Sequence, residues 1–414
     1  EDADAVGAIV DWLGALDLVA PASGGDGGNG GDERPSTLLA THRELGDGLA
    51  IGELGRSRVT FADFSSLVES TAAGLVGAGV EPGDRIALMM PPGVDLGVSL
   101  YAAWRAGAVV VLIDSGLGPA GMSAAIRAAD PDHLIGIPKA LAAARALRWP
   151  GRRICTEPLA SGVRRVLAPG GDLASIRDTP GPLPPAPSAG DVAAVVFTSG
   201  ATGPSKGVVY RHGQLEAQRD ALARLYDITS DDRLVAAFAP FALYGPAMGI
   251  ASVVPDMDVA APGTLTASAL GDAVIAADAT MVFASPAALA NVVRTADSLT
   301  ESHRRGFAGL RLLLSAGAPV RPSLLGAAAA LFPNAVAHTP YGMTECLPVA
   351  SISLEEIGAA GDGPGIGVCV GRPLPQVDVM IRPLDAVGRA TGDLSPAPDV
   401  LGEVVVRAPH ALSL

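Results

Sequence analysis

An apolar run that ends in a glycine-rich segment constrains the fold of this chain more than any other stretch. Residues Ala193–Phe197 are all apolar, and such a run predicts a buried strand. The segment that follows, TSGATGPSKG, combines glycines, small hydroxyl residues, one proline and one lysine. Gly200, Gly203 and Gly207 allow the backbone to turn sharply and to approach a ligand closely. The sequence therefore predicts a strand followed by a ligand-binding loop.

The side chains of this loop suit a phosphate group. The hydroxyls of Thr198, Ser199 and Thr202, together with successive backbone N–H groups, can donate hydrogen bonds to phosphate oxygens. Lys206 adds a compact positive charge. An ordinary surface loop is the competing interpretation. The commoner phosphate loop, G-x-x-x-x-G-K-[ST], does not fit, because Gly207 follows the lysine where that pattern requires Ser or Thr.

Strands and helices alternate along much of the chain, which predicts a doubly wound α/β fold with parallel strands. Between residues 49 and 114 the predicted strands are Arg58–Phe61, Arg85–Met90 and Ala108–Ile113, and the predicted helices are Ala62–Gly77 and Asp95–Ala106. Residues 166–190 are rich in Pro and Gly and predict a loop.

Four parts are predicted from the composition of successive segments. Residues 1–20 have apolar positions at helical spacing and predict an N-terminal helix. Residues 21–35 form a Gly-rich linker, and residues 36–364 hold the α/β pattern. Residues 365–414 are rich in Gly, Pro and β-forming runs, which predicts a small, more antiparallel subdomain.

Composition limits the class of protein. The chain is 49% hydrophobic and 17% charged, which favours a folded protein with much buried surface. Its net charge of −14 disfavours nucleic acid and anionic membranes as partners. Its three cysteines have no metal-ligand spacing, and the longest uncharged stretch, Leu234–Pro255, contains prolines and glycines that make it a poor membrane span. We therefore expect a cytoplasmic protein with no membrane span.

A second motif, Tyr341-Gly342-Met343-Thr344-Glu345, follows a short predicted strand at residues 335–337. An aromatic ring can stack on a base, a hydroxyl can contact a phosphate, and a carboxylate can bind Mg²⁺, which takes one or two carboxylates plus substrate phosphates. The alternative is a loop whose threonine caps a helix.

A third motif, Ser315-Ala316-Gly317-Ala318-Pro319, follows the predicted strand Leu310–Ser315. Its small residues would let a flat base lie against the backbone. An ordinary turn from a strand to a helix is an equally good interpretation of this motif alone.

The three motifs in this order are typical of one enzyme superfamily. The chain resembles the acyl-adenylate-forming, AMP-binding enzymes, which include acyl-CoA synthetases, luciferases and nonribosomal adenylation domains. Two later segments, Gly367–Pro375 (GVCVGRPLP) and Gly402–Pro409 (GEVVVRAP), look like further landmarks of that superfamily. The resemblance covers residues 36–414 and implies the large N-terminal domain of such an enzyme.

The resemblance implies ATP and Mg²⁺ as cofactors and assigns roles to the motif residues. The residues expected to act in catalysis are Lys206, Thr344 and Glu345, with Glu345 as the Mg²⁺ ligand. The residues expected to bind the nucleotide are Thr198, Ser199, Gly200, Thr202, Gly203, Gly317, Ala318, Tyr341 and Gly342.

Several details narrow the resemblance. The loop has Ala201 where the superfamily commonly has Thr, and it is accompanied by Ile113–Gly118 (IDSGLG), Ile135–Lys139 (IGIPK) and Phe241–Pro246 (FALYGP). Together these look like the β-lactone synthetases of bacterial long-chain olefin and β-lactone pathways. Such enzymes activate a β-hydroxy acid with ATP, and the β-hydroxyl of the same molecule then displaces AMP. A reacting hydroxyl in the same molecule has a large effective concentration.

The resemblance also implies a long-chain β-hydroxy fatty acid as substrate. Phe241, Tyr244, Met248 and Met343 are expected to contact its acyl chain, with simple core packing as the alternative. Acyl-CoA synthetases commonly have a histidine where this chain has Ala242. Two other functions stay open: a long-chain acyl-CoA ligase, and a non-catalytic nucleotide-binding module of a multi-enzyme assembly. An α/β-hydrolase, fused or associated, is a candidate partner.

The last part of the chain departs from the superfamily pattern. Thr391-Gly392-Asp393 resembles the superfamily's ribose-binding motif, but it precedes the segment Gly402–Arg407 that it should follow, so it predicts a turn. We therefore expect the ribose-binding aspartate, the hinge and the small C-terminal domain with its catalytic lysine to be absent from this chain.

Overall fold

The computed structural model describes residues 32–197, 207–237, 243–360, 368–397 and 400–412. The predicted N-terminal helix, most of the predicted linker and the loop of residues 198–206 lie outside the described residues.

Seventeen strands are present in the described part of the chain. They are β1 (Leu49–Glu53), β2 (Ser57–Thr60), β3 (Arg85–Met89), β4 (Val109–Ile113), β5 (His133–Gly136), β6 (Arg152–Cys155), β7 (Val192–Phe197), β8 (Gly207–Arg211), β9 (Arg233–Ala237), β10 (Ala251–Val254), β11 (Met281–Ala284), β12 (Leu312–Ser315), β13 (Val336–Met343), β14 (Cys346–Ser353), β15 (Arg372–Pro373), β16 (Asp378–Pro383) and β17 (Gly402–Arg407).

Thirteen α-helices connect these strands within the described residues. They are α1 (Phe61–Gly77), α2 (Val94–Arg105), α3 (Gly118–Ala129), α4 (Pro138–Ala146), α5 (Ser161–Leu167), α6 (Leu173–Arg177), α7 (His212–Leu225), α8 (Tyr244–Met248), α9 (Ala267–Ala277), α10 (Pro286–Arg294), α11 (Glu301–Ala308), α12 (Pro322–Ala329) and α13 (Leu354–Ala360). None of these described helices is long and apolar enough to cross a lipid bilayer.

The first large sheet has the strand order β6-β5-β3-β4-β7-β8. Its first five strands are parallel, and β8 pairs antiparallel with β7 at one edge. The central parallel strands β3 and β4 are apolar over most of their length, as in Val109–Ile113, because helices cover both faces of such a sheet. The carboxyl ends of β4 and β7 lie side by side, with Ile113 opposite Phe197.

The second large sheet has the order β15-β14-β13-β12-β11-β9-β10-β1-β2. The strands from β13 to β1 are parallel, and the strands beyond them at both edges are antiparallel. Its parallel core is almost fully buried, because β11 and β12 are buried along their whole length. The parallel strands of this sheet therefore end at one edge, where β12 and β13 bring two of the predicted motifs together.

A third, two-stranded antiparallel sheet is formed by β16 and β17, as the β-rich runs near the end of the chain predict. The Thr391–Asp393 segment lies between these strands as an exposed bend, with Gly392 at a φ of 85°. This conformation favours glycine and agrees with the predicted turn.

The α/β class predicted from the sequence is confirmed, and the differences concern single elements. The predicted strand Arg58–Phe61 ends at Thr60, because the Thr60 side chain accepts a hydrogen bond from the Asp63 N–H and caps α1. The stretch 166–190, predicted as a loop, contains the short helix α6, which begins with a capping box between Asp172 and Ser175.

Candidate active site

The predicted phosphate loop connects two strands that lie next to each other. Its own residues, Thr198, Ser199, Gly200, Thr202, Gly203 and Lys206, lie outside the described residues. Phe197 pairs with Gly207, so both ends of the loop leave the sheet at the same place. A Cβ atom on Gly207 would lie 2.8 Å from ring and methyl carbons of Phe197 and Val195, so a larger residue here would force these side chains to shift.

The Asp114 segment lies against the first residue before the loop. The backbone N–H of Asp114 donates to the carbonyl of Phe197 at 2.9 Å, and the N–H of Gly116 donates to Asp114 Oδ1 at 2.8 Å. The segment that begins at Ile113 and the residue just before the predicted phosphate loop, Phe197, therefore lie together at the carboxyl ends of β4 and β7.

The YGMTE motif is the tip of a β-hairpin. Tyr341, Gly342 and Met343 belong to β13, Thr344 and Glu345 form the turn, and Met343 pairs with Cys346 at the start of β14. The prediction that this motif follows its strand is therefore wrong, because pairing with β14 extends β13 through Met343. A β-bulge between Tyr341 and Met343 brings the backbone close to the partner strand, and a Cβ on Gly342 would lie 2.8 Å from the Cys346 carbonyl oxygen.

Four hydrogen bonds from outside the hairpin reach its backbone carbonyls between Thr344 and Pro348. The Tyr210 hydroxyl of β8 donates to the Thr344 carbonyl. The remaining donors are Leu412 N–H to the Glu345 carbonyl at 3.0 Å, Gln218 Nε2 to the Leu347 carbonyl at 2.6 Å and His410 Nε2 to the Pro348 carbonyl at 2.8 Å. Thr344 and Glu345 are themselves half-buried. The turn is therefore held in place from the first large sheet, from α7 and from the last described residues.

The carboxylate of Glu345 lies close enough to affect its neighbour electrostatically. Burial, and then the negative charge of Glu345, raise the pKa of the Tyr210 phenol above its ordinary value. The phenol therefore stays protonated at neutral pH and acts as a hydrogen-bond donor at the hairpin.

Tyr341 is half-buried and packs, with Met343, against a small apolar cluster formed by Cys346, Val349, Leu374 and Val377. Burial raises the pKa of the Tyr341 phenol. Met343, predicted to contact the acyl chain, therefore lies with Tyr341 beside this cluster.

The SAGAP motif lies next to the hairpin. β12 ends at Ser315, and Gly317 adopts a φ of 95°, which only glycine adopts without strain. Gly317 and Ala318 are exposed. Because β12 and β13 are parallel neighbours with Leu314 opposite His338, the carboxyl end of β12 lies beside the strand that carries Tyr341. The residues predicted to surround the adenine thus share one edge of the second large sheet.

An apolar pocket lies between α7, α8 and the second large sheet. Its walls include Leu222, Tyr226, Tyr244, Gly245 and Met248. The enclosed space is small, about 10 Å³, which is room for about one water molecule. The structure thus brings two of the predicted acyl-contacting residues, Tyr244 and Met248, into one pocket, whereas Phe241 lies outside the described residues.

The comparisons with known proteins decide the family. The profile described as "AMP-binding enzyme" matches residues 42–413, which is most of the chain. The chain belongs to the AMP-binding enzyme family.

Among curated relatives, the chain is similar to two proteins named olefin beta-lactone synthetase. It is 34% identical over 366 residues to that of Xanthomonas campestris pv. campestris, covering 85% of this chain and 63% of the relative. It is 33% identical over 394 residues to that of Stenotrophomonas maltophilia, covering 92% and 68%. A long-chain-fatty-acid–CoA ligase, FadD13 of Mycobacterium tuberculosis, is 26% identical over 364 residues, covering 85% and 65%. The resemblance to β-lactone synthetases inferred from the motifs is confirmed, and the chain spans about two thirds of the length of these relatives.

Solved structures support the fold. An amide bond synthetase of Marinactinospora thermotolerans superposes with a TM-score of 0.69 at 24% identity, covering 91% of this chain and 72% of that one. A long-chain-fatty-acid–CoA ligase of Archaeoglobus fulgidus superposes with a TM-score of 0.72 at 19% identity, covering 92% and 76%. At these identities the likeness establishes the fold of this AMP-binding chain and nothing finer.

Sequence reasoning did not find the residues that hold the site together. Tyr210 and Gln218 were given no role from the sequence, and their hydrogen-bond partners in the hairpin lie more than a hundred residues away in the chain. The sequence offers one signal for Tyr210, because it directly follows the apolar pair Val208–Val209, which comes just after the predicted phosphate loop.

Proposed function

We propose that this chain takes part in the ATP-dependent, AMP-forming activation of a long-chain β-hydroxy acid and its closure to a β-lactone. The observation that carries the proposal is the 34% identity to an olefin beta-lactone synthetase over 85% of the chain. The convergence of Gly317, Tyr341 and Glu345 at one sheet edge supports it.

Two chemical steps follow from this proposal. A carboxylate oxygen of the acid attacks the α-phosphorus of ATP, the bond between the α-phosphorus and the bridging oxygen breaks, and pyrophosphate leaves. The β-hydroxyl oxygen of the same acid then attacks the acyl carbon. The bond from that carbon to AMP breaks, the hydroxyl proton passes to a base or to solvent, and the four-membered lactone is released with AMP.

The phosphate-binding residues would offset the charge that develops in the first step, which is the usual strategy for phosphoryl chemistry. In this proposal Lys206, with the hydroxyls of Thr198, Ser199 and Thr202, binds the phosphates, and Gly200 and Gly203 shape the loop. Thr344 contacts the α-phosphate. Gly317, Ala318, Tyr341 and Gly342 enclose the adenine.

Mg²⁺ fits the residues that the structure places at the hairpin turn. Within the described residues, no group of three or more His, Cys, Asp or Glu side chains is placed to hold a metal. A single carboxylate, Glu345, is the arrangement expected for Mg²⁺, which keeps waters and takes substrate phosphates as its other ligands. When bound, Mg²⁺ would neutralise phosphate charge.

The apolar pocket beside Tyr244 and Met248 is the proposed site for the acyl chain. Its small volume means that side chains must move to admit a long chain, and Met248 is suited to this because methionine is unbranched and flexible.

The test supplies a long-chain β-hydroxy acid, ATP and Mg²⁺ to the natural full-length protein without CoA. We expect β-lactone and AMP in equal amounts. The 26% identity to FadD13 favours a long-chain acyl-CoA ligase as the second candidate. A product that forms only when CoA is added would establish that candidate, whereas nucleotide binding without any pyrophosphate exchange would leave a nucleotide-binding module.

A further inference from the structure

Gln218, on α7, connects the apolar pocket with the hairpin turn. It is 5% exposed, and both ends of its side-chain amide are hydrogen-bonded. We propose that Gln218 is a positioning residue that holds the acyl chain and the nucleotide in register for adenylation. The inference rests on the proposed function and deepens it.

The partners of Gln218 fix the orientation of its amide. The backbone carbonyl of Leu347 can only accept a hydrogen bond, so the amide nitrogen faces it at 2.6 Å. The amide oxygen then faces Tyr244, whose hydroxyl donates to it. Leu347 lies two residues after Glu345 in the hairpin, and Tyr244 lines the pocket. The buried side chain of Gln218 therefore bonds both to the pocket assigned to the acyl chain and to the hairpin assigned to the nucleotide.

The location of α7 explains why the hydrogen bonds of Gln218 would affect the alignment of the two substrates. The helix begins directly after β8, which follows the predicted phosphate loop, and Tyr210 of β8 holds the Thr344 carbonyl. Attack of a carboxylate on the α-phosphorus needs the two groups aligned, and a displacement of about 1 Å can cost about a hundredfold in rate. A side chain that ties the pocket wall to the hairpin therefore contributes to alignment rather than to the binding of either substrate alone.

The test compares binding of one joined ligand with binding of its two halves. The joined ligand is a non-hydrolysable acyl-sulfamoyl adenosine with a long β-hydroxyacyl chain, and the halves are AMP and the free acid. In Gln218→Met, which keeps the length but loses both hydrogen bonds, we expect about tenfold weaker binding of the joined ligand. AMP and the free acid should each bind within about twofold of the wild-type affinity. In turnover assays the loss should fall on kcat while KM for each substrate stays nearly unchanged.

A matched control separates positioning from stability. Asn291 on α10 is also a buried amide, and its Nδ2 donates to the Leu265 carbonyl at 2.8 Å rather than to a motif residue. Asn291→Leu should lower the free energy of unfolding to a similar extent and leave the affinity for the joined ligand unchanged.

Tyr244→Phe should weaken the affinity for the joined ligand. Combining it with Gln218→Met should weaken that affinity little further, because both changes break the same hydrogen bond between Gln218 and Tyr244.

The outcomes distinguish this inference from the proposed function. If the wild type binds the joined ligand and Gln218→Met binds it equally tightly, the positioning role is wrong and the proposed function stands. The same holds if Gln218→Met loses no more affinity than Asn291→Leu. If the wild type does not bind the joined ligand at all, the proposed function fails and the inference falls with it.

Discussion

The first residue of α7, His212, shows how burial decides the charge of a side chain in this molecule. It is 1% exposed, its ring lies 5.6 Å from that of Trp104, and its Nδ1 lies 3.1 Å from Ser36 Oγ. Because the Ser36 hydroxyl donates to Glu216, its oxygen accepts from a protonated Nδ1 of a neutral ring. Burial lowers the pKa of His212 to about 4, so the ring stays neutral at neutral pH and serves packing.

This lowered pKa predicts a loss of stability in acid. Between pH 6.5 and pH 4 the unfolded chain binds a proton at His212 that the folded chain does not, so the free energy of unfolding falls as the pH falls. His212 contributes about 3 kcal/mol to the fall in the free energy of unfolding between pH 6.5 and pH 4. His212→Phe removes that contribution while the other titrating groups stay the same. Denaturant unfolding at pH 7, 5.5 and 4.5 should give a steeper pH dependence for the wild type than for the variant. Equal slopes would show that His212 titrates normally.

At the scale of elements, the hairpin of β13 and β14 shows which strands and residues the sequence predicts and which it does not. Parallel strands such as β4, β7 and β12 were predicted because they are continuous apolar runs, whereas β1, β6, β9 and β10 were not predicted as strands. β8 and β14 were not predicted either. Both pair antiparallel at the end of a parallel block, and Pro348 interrupts the apolar pattern of β14. The motif residues at the sheet edge were predicted by resemblance. Their anchors, Tyr210 and Gln218, were not, because a partner more than a hundred residues away leaves no local pattern.

The anchor from β8 predicts a specific effect on nucleotide binding. Tyr210→Phe removes the hydrogen bond from Tyr210 to the Thr344 carbonyl, and we expect about 1 kcal/mol less stability and up to about tenfold weaker ATP binding. Tyr101→Phe is the matched control, because its hydroxyl donates to the Leu243 carbonyl at 2.8 Å, away from the hairpin turn. Calorimetric titration with ATP and Mg²⁺ measures the ATP affinity of both variants. Equal ATP affinity in the two variants would mean that the hairpin turn does not need the Tyr210 hydroxyl.

At the scale of the whole molecule, the site is divided between the two large sheets. The predicted phosphate loop leaves the first sheet between β7 and β8, whereas the SAGAP turn and the hairpin belong to the second. Two of the described links between them at this place are the Tyr210 bond to Thr344 and the contact of α7 with the hairpin through Gln218. A nucleotide that contacts both groups of residues would therefore add to the coupling between the sheets.

This division predicts how two ligands protect the backbone from hydrogen exchange. ATP with Mg²⁺ should slow exchange at the carboxyl ends of β4 and β7 and also in β12, β13 and β14, because in the proposed site its phosphates and its base contact different sheets. Adenosine, which lacks phosphates, should protect only β12, β13 and β14. At a ligand concentration a hundredfold above Kd, ATP should add about 2.7 kcal/mol to the free energy of unfolding. Mass spectrometry of peptides from both sheets measures hydrogen exchange with ATP, with adenosine and without ligand. Protection by ATP confined to one sheet would show that the loop and the hairpin do not share one nucleotide.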